Sequence, residues 1–267
     1  MQPDSRCCSA PCPKARFASR DAGPRDDSNM LPRFLEIGIG TANIAASLDF
    51  YRRLGFAQIS VSDTWPHAYA VVTDGRAFIG LHQHTAPFAL TFVVPELAQR
   101  LNALEELGMD FSERRLSADE FNQVRAADPD GLCLHLVEAR TFSPPLLQAG
   151  FASLCGYFSE VALPTRDFEA RRLFWEKFGF IGMEEESLPF PRQSLTSDLI
   201  NLAFYRTRAG REPWLVFEEP DMRQRLRQLQ ERGFELSDEM PDALDVADNA
   251  VLLAPEGTRL LLMTAPV

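Results

Sequence analysis

The stretch Gly80-Leu81-His82-Gln83-His84 holds two of the four histidines in a chain of 267 residues. His67 and His135 are the others, so the last 132 residues contain none. Imidazole titrates near neutrality, and its neutral form is the commonest metal ligand. A spacing of two puts His82 and His84 on one face of an extended strand, with His84 towards its end. Proton transfer to a bound molecule and coordination of a transition metal both fit such a pattern. So does the plainer role of a histidine hydrogen-bonded in a core.

Composition narrows the setting. A formal net charge of −11 argues against a general nucleic-acid binder, which needs a basic face to neutralise phosphates. No apolar run approaches the ~20 residues of a membrane span. Residues 1–30 are rich in Pro, Ser, Asp and Arg without hydrophobic periodicity, and are expected to form a disordered leader. The leader carries Cys7, Cys8 and Cys12, a cluster without a fourth ligand. Met30 stands just before the first patterned segment, where a start codon would fit. Cys133 and Cys155 are isolated, as suits a reducing cytoplasm, the expected location.

The elements that must position the histidines emerge from an internal repeat. SLDFYRRLGF (47–56) is echoed by RRLFWEKFGF (171–180), ALTFVVPEL (89–97) by WLVFEEPDM (214–222), and DPDGLCLHLVEA (128–139) by APEGTRLLLMTA (254–265). These offsets of 124, 125 and 126 imply two copies of one module, 34–140 and 156–265, joined by a linker at 141–155. Within the first copy, Asn43 is placed to cap a helix through Ile44, Leu48, Tyr51 and Leu54, and Gly55 to end it. A second helix carries Leu97, Leu101, Leu104 and Leu107 and ends at Gly108, 53 residues after Gly55. Short β-like runs surround each helix. The unit is strand–helix–strand–strand–strand, and the chain contains four of them.

With these motifs the chain resembles the vicinal oxygen chelate superfamily, which includes glyoxalase I, bleomycin-resistance proteins, fosfomycin-resistance enzymes and extradiol dioxygenases. The SLDFYRRLGF helix, the DPDGLCLHLVE final strand and the fourfold unit carry the resemblance, which spans everything after the leader. It implies an α+β fold of two tandem modules, each a pair of βαβββ units forming an eight-stranded cup. A scaffold of this kind hosts many chemistries, so the resemblance fixes fold rather than reaction.

Metal ligands in this superfamily come from the first and last strands of each unit and face into the cup. The resemblance therefore implies Glu36 on the first strand and His82 on the last, or Gly80 on the same face. In the second unit it implies His135, where relatives often have glutamate, while Ala89 replaces a histidine that many relatives carry. His82 and His135 are 53 residues apart, as Gly55 and Gly108 are, which favours His82 over Gly80. Glu36, His82 and His135 are thus the expected ligands of a divalent metal: Fe, Mn, Zn, Co or Ni. An alternative leaves His82 and His135 as core residues and Glu36 paired with an arginine. His67, Tyr69 and His84 are candidates for a catalytic proton donor.

The corresponding positions of the second module are Glu160, Tyr205, Trp214 and Leu261. Leucine cannot ligate and the indole only donates, so this copy is expected to have a degenerate site. The reading is a metal-dependent lyase, isomerase or dioxygenase acting on a small oxygenated molecule. The alternative is a metal-free small-molecule binder of the bleomycin-resistance type; a purely structural pseudo-enzyme is a third reading. The expected partners are a small molecule and no nucleic acid or membrane, with the chain a monomer (an intrachain pseudo-dimer) or a homodimer.

Overall fold

A computed structural model describes residues 32–60, 65, 67–84, 87–117, 122–138, 153–187, 190–198, 200–206 and 212–265. The leader, with its three cysteines and Met30, and most of the linker lie outside the described residues.

The first module runs β1 (Arg33–Gly40), α1 (Ile44–Arg53), β2 (Ala57–Ile59), β3 (Tyr69–Thr73) and β4 (Phe78–His82). The same order repeats in β5 (Ala89–Val93), α2 (Leu97–Glu106), β6 (Asp110–Arg115), β7 (Gln123–Ala127) and β8 (Cys133–Val137). These strands form one eight-stranded sheet in the order β2-β3-β4-β1-β5-β8-β7-β6. The second module has β9 (Tyr157–Pro164), α3 (Phe168–Glu176), β10 (Ile181–Glu186), β11 (Arg192–Thr196) and β12 (Leu202–Tyr205). It continues with β13 (Trp214–Glu219), α4 (Met222–Glu231), β14 (Leu236–Ser237), β15 (Ala250–Leu253) and β16 (Arg259–Thr264). Its sheet order, β10-β11-β12-β9-β13-β16-β15-β14, is the same permutation. The chain is α+β with two tandem modules, as the repeat predicts.

Local chemistry sets the helix ends. The Asn43 side chain accepts from the Ala46 N–H at 3.1 Å, and Asp167 does the same for Ala170 in the second module. The helices end at Gly55, Gly108, Gly179 and Gly233, whose φ values of 79° to 98° lie in the region that side-chain-bearing residues avoid.

Alternation along the four central strands separates two faces. Ile37, Ile39, Ile79, Leu81, Leu90, Phe92, Leu134 and Leu136 are buried against the helices, in an apolar cluster that joins both modules. Their neighbours Glu36, Gly38, Gly80, His82, Ala89, Thr91, Cys133 and His135 consequently face the concave side. The hydrophobic pattern thus aims the chemistry-bearing residues into the cup.

Two reciprocal clasps join the modules. The Asp128 carboxylate, in the β7–β8 turn, accepts from Arg171 Nε at 2.6 Å and Trp175 Nε1 at 3.2 Å, both on α3. In the opposite direction Glu256, in the β15–β16 turn, accepts from Ser47 Oγ at 2.7 Å and Tyr51 hydroxyl at 2.9 Å, both on α1. The repeat offset of 124 maps Ser47 and Tyr51 onto Arg171 and Trp175, so the same helix face meets the same turn with different chemistry.

Candidate metal centre

The β3–β4 ribbon brings the first residues together. Tyr69 lies opposite His82 in its antiparallel register. Extending that register by two residues places His67 opposite His84, and their rings are 4.3 Å apart. Alternation puts all four on one face, a two-by-two patch at the open end of the ribbon.

Behind this patch stands Glu36 of β1, only 1% exposed. One carboxylate oxygen accepts from the Tyr69 hydroxyl in a short hydrogen bond, and the other lies 3.1 Å from His82 Nε2. A carboxylate only accepts, so His82 Nε2 carries the proton and Nδ1 keeps the lone pair. That Nδ1 is 2.9 Å from His67 Nε2. Burial, reinforced by the Glu36 charge, holds the Tyr69 hydroxyl far above its ordinary pKa, so it stays a donor.

His135 arrives from the other side of the floor. It pairs with Thr91 of β5, which in turn pairs with Glu36 of β1. Arg125 Nε of β7 is 3.4 Å from His135 Nε2, and the Trp65 indole stacks on the imidazole at 5.2 Å. Trp65 also meets His82 edge-on at 5.1 Å, which places it against both histidines. Burial, and then the Arg125 charge, pushes His135 down to about 4. Burial and the neighbouring imidazoles do the same to His67, and His84 is lowered for similar reasons. These three rings are therefore neutral near pH 7, the state that can donate a lone pair.

All four histidines line one cavity of about 250 Å³, with Trp65 and Arg125 among its other walls. The sequence-mapped residues Glu36 and His82 are in contact, and His135 shares the cavity without bonding to either. His67, Tyr69 and His84, expected only as proton-donor candidates, join the same cluster.

One expectation is corrected. Equal spacing made His82 the counterpart of His135, yet the strand register pairs Gly80 with Gly38 and His135 with Thr91, and Gly38 and Thr91 are equivalents. Gly80 is therefore the counterpart of His135, and His82 lies two residues further on. The cause is a turn one residue longer before β8, at 128–132 against 74–77, with one further residue added upstream. The spacing argument also passed over Arg125, whose alternation on β7 aims it into the cup, and the packing role of Gly80. A glycine inside a strand pattern was the available signal for close approach of another group.

The second cup is filled. Tyr205 and Trp214 stack at 4.7 Å, and Phe190, Met240, Leu261 and Met263 close around them in a buried apolar cluster. Glu160 remains, 3.3 Å from Arg192 and from Ser194 Oγ. Burial raises it to about 7 although Arg192 pulls the other way. The neighbouring Glu218 and Glu186 charges raise it further.

The module 1 donor set fits a transition metal. Two ligands on one ion with bonds of about 2.0–2.1 Å stand roughly 3–3.4 Å apart. The His82 Nδ1–His67 Nε2 separation of 2.9 Å is close to that size. Among the described residues, the ligand atoms of His67, His82 and His84 lie within 4.8 Å of one another.

No family model and no curated protein matches the chain. Solved structures do. A catechol 2,3-dioxygenase is similar over 88% of this chain and 88% of its own, with a TM-score of 0.57 and 16% identity. The Mn(II)-bound glyoxalase from Novosphingobium aromaticivorans is similar over 88% of this chain and 82% of its own, at 0.58 and 14%. The 2,2',3-trihydroxybiphenyl 1,2-dioxygenase from Sphingomonas wittichii is similar over 88% and 91%, at 0.58 and 16%. Likeness along nearly the whole length at such low identity is likeness of fold, and the fold this chain shares with these structures is the α+β one of two tandem eight-stranded modules.

Proposed function

We propose that the chain is a metal-dependent enzyme that holds one divalent ion in the cup of module 1 and acts on a small oxygenated molecule there, as a lyase, isomerase or dioxygenase. The observation that carries this reading is His82. Its Nε2 is held by a buried carboxylate while Nδ1 faces a cavity lined by three more imidazoles. Family mapping offers Glu36, His82 and His135 as donors, and the geometry adds His67 and His84. Similar structures include a glyoxalase with Mn(II) bound and dioxygenases named for catechol-type substrates, in keeping with such a site. An ion there would polarise two adjacent oxygens of its substrate.

The chain's own groups have separate tasks. The Trp65 ring offers a flat apolar surface to a planar substrate. Arg125 brings a cation to the cavity wall beside His135, suited to an anionic oxygen. The free thiols of Cys133 and Cys155 agree with the cytoplasm, where we place the protein. Among the described residues, no helix is long and apolar enough to cross a membrane.

Elemental analysis of the full chain purified without chelator, then of chain reconstituted with each candidate metal, tests the reading. The expected result is about one ion per chain, lost in His82→Ala. Absence of metal under every reconstitution would replace the enzyme with a metal-free binding protein.

A further inference from the structure

We infer that the ion of module 1 is held by three imidazoles, His67, His82 through Nδ1 and His84, and that Glu36 and Tyr69 position His82 from behind instead of ligating. This inference rests on the proposal that module 1 binds a metal and assigns the donors.

Access is the first ground. An ion that receives a substrate must face the cavity. His67, His82 and His84 all line it, whereas Glu36 is 1% exposed beneath His82 and forms no part of its wall.

The second ground is what already occupies each candidate. Both Glu36 oxygens are taken, one by Tyr69 and one by His82 Nε2. A Cβ on Gly80 would stand 2.3 Å from Glu36 Oε2, so the carboxylate fills the space that the missing side chain leaves. A buried carboxylate on the far nitrogen of an imidazole is the usual partner of a metal-bound histidine, because it fixes both tautomer and ring direction. Here it leaves the Nδ1 lone pair of His82 towards His67. His135 is committed elsewhere, with Arg125 at 3.4 Å from Nε2 and Trp65 stacked on the ring.

Closure of the site is a small step. The two-by-two register sets His67 across from His84, and the donor atoms of the group all lie within 4.8 Å of one another. Tetrahedral coordination brings donors to about 3.4 Å apart, which modest ring rotations at the partly exposed His67 and His84 supply. Three neutral imidazoles with one position open favour Zn²⁺, Co²⁺ or Ni²⁺ over the hard, oxygen-seeking Mg²⁺ or Ca²⁺.

The test uses Zn²⁺ itself, titrated calorimetrically into the metal-stripped full chain, and histidine ¹⁵N NMR of the Zn²⁺-loaded form. His67→Ala and His84→Ala are expected to weaken Zn²⁺ binding by about a hundredfold or more, and Glu36→Gln by about ten- to a hundredfold. His135→Ala should stay within about threefold of the parent. NMR should show Nδ1 of His82 bound to metal and Nε2 protonated, a readout that a merely structural role for Glu36 would not move. Metal on Nε2 of His82, or His84→Ala binding as the parent does while Glu36→Gln or His135→Ala abolishes binding, overturns the three-imidazole assignment and leaves the metal-dependent reading intact. A parent chain that binds no Zn²⁺, Co²⁺ or Ni²⁺ overturns both.

Discussion

The carboxylate of Glu36 lies over the bare Cα of Gly80. A Cβ there would be 2.3 Å from Oε2, 2.5 Å from Cδ and 2.7 Å from Oε1. Glycine inside a buried strand costs conformational entropy, and here it leaves the space in which the Glu36 carboxylate meets both His82 and Tyr69. Gly80→Ala should therefore displace the carboxylate, leave a buried charge without its donors and destabilise the fold by roughly 1–3 kcal/mol. Urea unfolding checks this, with a double-mutant cycle as the control. In a Glu36→Ala background the Gly80→Ala cost should largely vanish, because the clash partner is gone. Equal costs in both backgrounds would show that Gly80 serves the backbone and not the carboxylate.

The two module clasps differ in chemistry and should differ in energy. Arg171 is 2% exposed and its charge is matched by Asp128, with NH2 to Oδ2 at 2.5 Å. Asp128→Ala leaves the buried guanidinium only the more distant Asp130 carboxylate, 3.6 Å from NH1, a loss of about 3–5 kcal/mol. Glu256 receives neutral hydroxyls, and Glu256→Ala should cost about 1–3 kcal/mol. Chemical denaturation of the two variants side by side measures the difference, and a larger loss at Glu256 would contradict it.

Glu160 gives the second module a pH signature. Its carboxyl is raised to about 7 in the fold, chiefly by burial, from an ordinary value of 4.5. Between those values the folded chain holds a proton that the unfolded chain has released. Its contribution to stability is thus complete below about pH 4.5 and is lost as pH rises through 7. Wild type should lose roughly 2–3 kcal/mol relative to Glu160→Gln between pH 5 and pH 8. Parallel stability profiles for the two chains would show that Arg192 compensates the burial in full.

Much of this was legible in the sequence because it is periodic. The helix caps, the terminating glycines and the strand–helix–strand–strand–strand unit depend on local pattern, and the offset between copies exposed the duplication. Glu36 and His82 were readable because alternation against Ile37 and Leu81 forces them to the concave side. The equivalence of His82 and His135 was misread because counting residues cannot see a turn that is longer by one. The clustering of His67 and His84 with His82 was also hidden: it depends on cross-strand register beyond the ends of β3 and β4, which no single strand records. The filled state of the second cup was foreshadowed by Leu261 and Trp214, whose side chains cannot ligate.

On the proposed function, the metal belongs to the first cup alone. Anomalous diffraction at the Zn edge, from crystals of the Zn²⁺-loaded full chain, measures it directly. The account predicts a single strong peak per chain, at about 2.0–2.1 Å from a nitrogen of His82, and none in the second cup, where Tyr205, Trp214 and Leu261 fill the space. A peak beside Glu160, or no peak in the first cup at saturating Zn²⁺, would contradict it.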